Sequence, residues 1–140
     1  MKSRESLIRL RRFDVDEKRQ KVADIEVMIQ DFNQMVVDLD RQIEAEQERA
    51  GVSDVNHYAY PTFAKAAVQR RDNLMASIDD LNAKLERARD DMAEAFEDLK
   101  KVELINERET ERVRSEQMKS EQEELDQIGQ IAHMRMDYQT

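Results

Sequence analysis

The segment VADIEVMIQDFNQMVVDLDRQI, residues 22–43, decides the fold of this chain. Its apolar side chains recur at intervals of three and four residues, the repeat of a helix that packs against another helix along a narrow seam. No glycine or proline interrupts it. The spacing therefore predicts one half of a coiled coil. The seam positions are Val22, Ile25, Ile29, Phe32, Val36, Leu39 and Ile43.

The same repeat extends outward from this segment in both directions. On the N-terminal side it continues through Val15 to Ile8, and on the C-terminal side it reaches Ala50. Gly51 follows directly, and glycine is the residue that most often ends a helix because it tolerates a left-handed backbone. We therefore expect helix 1 to cover about residues 3–50.

A second helical repeat begins after the single proline of the chain, Pro61. Proline is well suited to a helix start, because its φ is already helical and it has no N–H to leave unpaired. We expect a linker over about residues 51–61 and helix 2 over about residues 62–135. The second seam consists of Ala67, Arg71, Leu74, Ile78, Leu81, Leu85, Ala88, Met92, Ala95, Leu99 and Val102.

Two long helices joined by about ten residues are expected to fold back as an antiparallel hairpin. Because both helices rise by the same distance per residue, Ile8 should lie opposite Leu104 and Ile105, where the second seam stops. The fold class is therefore all-α: a single elongated antiparallel two-helix coiled coil over residues 1–140, with a polar overhang of helix 2 from about residue 106. Such a hairpin is expected to be monomeric on its own.

The C-terminal end of the overhang regains apolar side chains that have no seam opposite them. On a single helix these side chains either bind a partner or leave the helix end to fray. The sequence alone leaves both alternatives open. They are Leu125, Ile128, Ile131, Met134 and Met136.

Composition narrows the function classes. The 140 residues carry a formal net charge of −9, which disfavours binding to nucleic acid because phosphate is repelled. The chain has no cysteine and no apolar run long enough to cross a bilayer, so we expect a soluble cytoplasmic protein. Basic residues concentrate in the first 21 positions. Three interpretations remain open for them: contact with an acidic protein partner, contact with an anionic membrane surface, or an ordinary solvated helix end.

Nothing in the sequence indicates catalysis or a cofactor. His57 and His133 are far apart, and neither has a cysteine or second histidine at metal-ligand spacing. There is no glycine-rich phosphate loop. A two-helix hairpin also encloses no pocket in which reactive groups could converge. We therefore expect a protein that is not an enzyme and that binds no cofactor, metal or small-molecule substrate.

Two segments resemble the FliJ family, the small coiled-coil proteins of the flagellar type III export apparatus. They are SLIRLRRFDVDEKRQKVADIE, residues 6–26, and YPTFAKAAVQRRDNL, residues 60–74. The order of a basic N-terminal helix, an aromatic linker and a long second helix is also similar. The resemblance implies a stalk that links the export ATPase FliI to the export-gate protein FlhA, assists export chaperones, and lies in the cytoplasm beside the inner membrane.

The resemblance also implies two sets of partner-binding residues. The gate contact would fall at the start of helix 2, and the ATPase ring would receive the end that bears both termini. The candidates for the gate are Tyr60, Phe63, Ala67, Arg70 and Leu74. The candidates for the ring are Arg4, Arg9, Arg11, Arg12 and Arg19, chosen by charge and position.

The alternative function is a general coiled-coil spacer or assembly scaffold with no link to export. The linker bears on this choice, since GVSDVNHYAYP, residues 51–61, carries more aromatic side chains than a chain reversal needs. Exposed aromatic residues are common anchors of interfaces. We therefore expect the linker and Phe63 to display a binding surface, although the same residues would otherwise cap the hairpin core.

Overall fold

A computed structural model describes residues 2–139 of the chain, and two α-helices account for most of them. Helix α1 spans Lys2–Ala50 and helix α2 spans Thr62–Gln139. No strand occurs among the residues described. The two helices contact each other, which confirms the predicted all-α helical hairpin.

Local chemistry explains where each helix stops and starts. Gly51 has a φ of 69°, the left-handed conformation that terminates helices, and its N–H donates to the carbonyl of Gln47 at 2.9 Å. At the other side of the linker, the N–H of Lys65 donates to the carbonyl of Pro61 at 3.0 Å. Pro61 thus accepts the first hydrogen bond of α2 without needing a donor of its own.

The chain divides into two compact units, Arg11–Phe96 and Met1–Leu10 with Glu97–Thr140. The Arg11–Phe96 unit contains the linker and the seam of residues 22–43. Buried apolar side chains hold its helices together, and they include one cluster beside the linker and another further away. The first comprises Leu39, Ile43 and Ala67, and the second Val22, Ile25, Leu81, Leu85 and Ala88.

Cross-helix ion pairs fix the antiparallel order within this unit. Arg71 lies 3.0 Å from Asp40, and Arg89 lies 3.4 Å from Glu26. The residue further along α2 therefore pairs with the residue nearer the start of α1. Exposed ion pairs of this kind contribute little free energy, so the seam supplies the stability and the ion pairs report its register.

In the other unit the apolar seam ends after a short distance. Ile8 and Leu99 are buried, whereas Leu104 and Ile105 are exposed. From Thr110 to Tyr138, each residue is exposed. Helix α2 nevertheless remains helical through this polar stretch to Gln139. Its surface is therefore available for contact over about eight turns.

Candidate functional site

The linker folds through hydrogen bonds of its own backbone and side chains. The carboxylate of Asp54 accepts a hydrogen bond of 3.0 Å from the backbone N–H of Asn56. The backbone carbonyl of Asp54 accepts another, also of 3.0 Å, from the N–H of His57. His57 in turn accepts twice, through Nδ1 from the N–H of Ala59 and through its carbonyl from the N–H of Tyr60, both at 3.0 Å. The linker is thus two consecutive turns with defined side-chain directions.

The two tyrosines of the linker differ in how far they are buried. Tyr60 is only 8% exposed, and its hydroxyl accepts a hydrogen bond of 3.0 Å from Nε2 of Gln47 in the last turn of α1. Tyr58 is 96% exposed, and its ring stacks on His57 with a centroid distance of 4.6 Å. One tyrosine therefore closes the core, and the other is displayed to solvent.

The gate candidates are likewise divided between core and surface. Phe63, at 59% exposure, and Arg70 are on the surface. Ala67 is buried in the cluster beside the linker, and Leu74 packs partly buried against it. Tyr60 is buried as described above. Of the gate candidates, a partner can therefore reach Phe63 and Arg70 directly.

Arg71, next to the surface residue Arg70, is held by carboxylates on both helices. Its guanidinium donates to Asp40 at 3.0 Å and to Asp72 at 3.3 Å. The hydrogen bond to Asp40 is the largest cause of a raised pKa for Arg71. Both acids pair with Arg71, and the neighbouring Arg70 is exposed to solvent.

The ring candidates fall in both units. Arg4 and Arg9 belong to the unit that contains the chain ends, whereas Arg11, Arg12 and Arg19 belong to the Arg11–Phe96 unit. Arg9, Arg12 and Arg19 are exposed. Arg4 and Arg11 are half-buried, and each carries a buried guanidinium nitrogen, Nη1 of Arg4 and Nε of Arg11, that makes no hydrogen bond.

One feature of the α2 overhang escaped the sequence analysis. Arg4 lies beside Thr110, Val113, Arg114 and Gln117, with which it lines a shallow cavity of about 340 Å³. The signal that could have revealed it was the antiparallel pairing rule, continued past the end of the apolar seam. Beyond Ile105 the apolar residues become too sparse to mark the pairing of the two helices.

The C-terminal turns of α2 display an apolar surface that the sequence did indicate. Each of its large side chains is exposed, and the surface has a notch beside Gly129, at which nothing lies within 4 Å of where a side chain would begin. We call this the C-terminal apolar face. It consists of Leu125, Ile128, Ile131, Met134 and Met136.

The described residues hold neither a cluster of three or more potential metal-ligating side chains nor a helix long and apolar enough to cross a membrane. The features that do stand out are exposed aromatic, basic and apolar side chains on a two-helix frame. The fold and its surfaces thus define an α-helical coiled-coil protein that offers binding surfaces.

Comparison with known protein families identifies the family. The family model described as Flagellar FliJ protein matches residues 1–137, so the chain belongs to the FliJ family. Members of this family are non-catalytic components of flagellar protein export, which gives the chain a role in that process. No curated protein and no solved structure matches the chain.

Proposed function

We propose that this protein is the stalk of the flagellar export apparatus that connects the export ATPase FliI to the export-gate protein FlhA. The observation that carries this proposal is the family match over residues 1–137. A protein that couples two partners needs a surface for each of them. The linker and the start of α2 display exposed side chains, and so does the start of α1.

The gate contact is proposed to centre on Phe63 and Arg70. Aromatic and arginine side chains are both enriched among interface hot spots, and Phe63 and Arg70 are both exposed at the start of α2. Tyr60, Ala67 and Leu74 support this surface from beneath, since they are buried or partly buried at the start of α2. Their substitution would alter gate binding by disturbing the position of Phe63.

The ATPase ring is proposed to contact the basic side chains at the start of α1. In a chain with a net charge of −9, a local excess of arginine is the feature that an acidic partner would select. Exposed charges act mainly on the association rate, and salt screens them. The candidates are Arg4, Arg9, Arg11, Arg12 and Arg19.

Export chaperones are proposed to use the C-terminal apolar face. Exposed apolar side chains that recur along a helix favour an amphipathic helical partner.

The proposed location is the cytoplasmic side of the inner membrane, where the protein would associate peripherally through FlhA and FliI. Alone, it is proposed to be a monomer.

A bridging assay tests the stalk directly. The cytoplasmic domain of FlhA is immobilised, and FliI is added with and without this protein. Recovery of FliI only when the protein is present supports the proposal. If the protein binds neither FlhA nor FliI, the proposal fails, and the general spacer becomes the better account.

A further inference from the structure

The cavity between the start of α1 and the overhang of α2 has an unusual charge arrangement. Two guanidinium groups, those of Arg4 and Arg114, line one concave surface of about 340 Å³. Among residues 2–139, no carboxylate lies within ion-pair distance of either arginine, and Nη1 of Arg4 is buried without a hydrogen bond. Like charges that share a concavity repel each other, and a buried donor without an acceptor is destabilising.

Glu109, an acid of the same unit, does not relieve this arrangement. Glu109 accepts hydrogen bonds from Nε and Nη2 of Arg112, and Arg112 also donates to Glu116 at 3.1 Å. The hydrogen bond from Arg112 is the largest cause of the lowered pKa of Glu109, and Arg4 acts on it only through its charge. The carboxylate is therefore held by its own helix.

The remaining lining groups fit a carboxylate that enters from solvent. The hydroxyl of Thr110 donates a hydrogen bond of 2.8 Å to the carbonyl of Asn106, so its proton is not available to a ligand. Gln117 also lines the cavity, and its side-chain amide is a further hydrogen-bond donor beside the two arginines. Val113 adds an apolar contact of the kind that the methylene groups of an acidic side chain can cover. The cavity thus offers several donors and one apolar patch on a single side.

We propose that this cavity binds the carboxylate of an aspartate or glutamate side chain presented by a partner protein. Arg4 and Arg114 both line the cavity, and hydrogen bonds between a guanidinium and a carboxylate are charge-assisted and therefore stronger than neutral ones. The inference rests on the proposed function only where it names the partner, which would be the ATPase ring. The inference that the ligand is a carboxylate rests only on the residues that line the cavity.

The test is a titration followed by NMR at the Nε–Hε groups of the arginines. The probes are a capped tetraglutamate peptide and, separately, sodium phosphate at the same ionic strength. We expect the peptide to shift the signals of Arg4 and Arg114 saturably and at lower concentration than phosphate. The R4Q/R114Q variant should weaken peptide binding by about tenfold or more. The R41Q/R108Q variant removes the same charge elsewhere and should leave binding unchanged.

The proposal is overturned if the peptide causes no saturable shift of the Arg4 and Arg114 signals, or if phosphate binds more tightly than the peptide. Equal weakening by R4Q/R114Q and R41Q/R108Q would also overturn it, because it would reduce the effect to overall charge. Circular dichroism confirms that each variant remains helical. Binding to FliI is measured separately. A wild-type protein that binds the peptide but not FliI would refute the ring as partner and leave the cavity's chemistry standing.

Discussion

Nε2 of Gln47 and the hydroxyl of Tyr60 are joined by a hydrogen bond of 3.0 Å that ties the last turn of α1 to the residue before Pro61. The bond therefore spans the chain reversal and connects the end of α1 to the end of the linker. It also holds Tyr60 in the core while Tyr58, two residues earlier, faces solvent. The two tyrosines therefore have different roles, one in stability and one at the surface.

The first prediction concerns that hydrogen bond. Substitution Tyr60→Phe keeps the buried ring and removes the hydroxyl, which leaves the partly buried amide of Gln47 without its partner. We expect a loss of about 1 kcal/mol in the free energy of unfolding. Urea unfolding followed by circular dichroism measures it. Tyr58→Phe is the matched control and should change stability by less than about 0.5 kcal/mol. Equal effects of the two variants would contradict the different roles of the tyrosines.

The second prediction concerns the seam. Leu85 is 8% exposed and belongs to the cluster with Val22 and Ile25. Substitution Leu85→Ala removes apolar contacts and leaves a cavity, and we expect it to cost about 2–5 kcal/mol. The control is Leu10→Ala, at a leucine that is 60% exposed. If thermal and urea unfolding rank the two variants in the reverse order, the seam has been placed on the wrong face of the helices.

The third prediction concerns pH. The hydrogen bond from Arg112 lowers the pKa of Glu109 in the folded protein. Because the pKa of Glu109 is lower in the folded protein than in the unfolded chain, the interaction stabilises the helix at pH values above the ordinary pKa of glutamate. The stabilisation is lost as the pH falls through the lower folded value. NMR titration of the Glu109 carboxyl group should show a midpoint below that of an unperturbed glutamate.

A pair of variants isolates the cause of this shift. Arg112→Gln should raise the midpoint of Glu109 towards its ordinary value, because the principal hydrogen-bond donor is gone. Arg108→Gln removes a positive charge from the same turns of α2 and should leave the midpoint nearly unchanged. An unchanged midpoint in Arg112→Gln would show that the ion pair does not persist in solution.

The sequence predicted those parts of the structure that depend on local rules. The three-and-four repeat through Val22 and Ile43 reflects helix geometry alone, and it identified the hairpin. Gly51 and Pro61 act within one or two residues of the helix ends, so their positions in the sequence indicated where the helices end and begin. Fold class followed from such short-range signals.

The parts that escaped prediction depend on tertiary geometry. Tyr60 and Phe63 are three residues apart and equally aromatic, yet Tyr60 is buried at the end of the linker, and Phe63 is exposed on α2. The cavity of Arg4 and Arg114 requires the register of two helices beyond the last apolar contact. Polar pairings of this kind leave no periodic signal in the sequence.

The most direct test of the stalk account uses two phenylalanines of equal exposure. Phe63 is 59% exposed at the start of α2, and Phe13 is 60% exposed on α1. Binding of each alanine variant to the cytoplasmic domain of FlhA is measured as an isotherm, with helicity checked by circular dichroism. The account predicts that Phe63→Ala weakens binding by about tenfold or more, while Phe13→Ala binds like the wild type. Equal binding by both variants, with helicity intact, would contradict a gate contact at the start of α2.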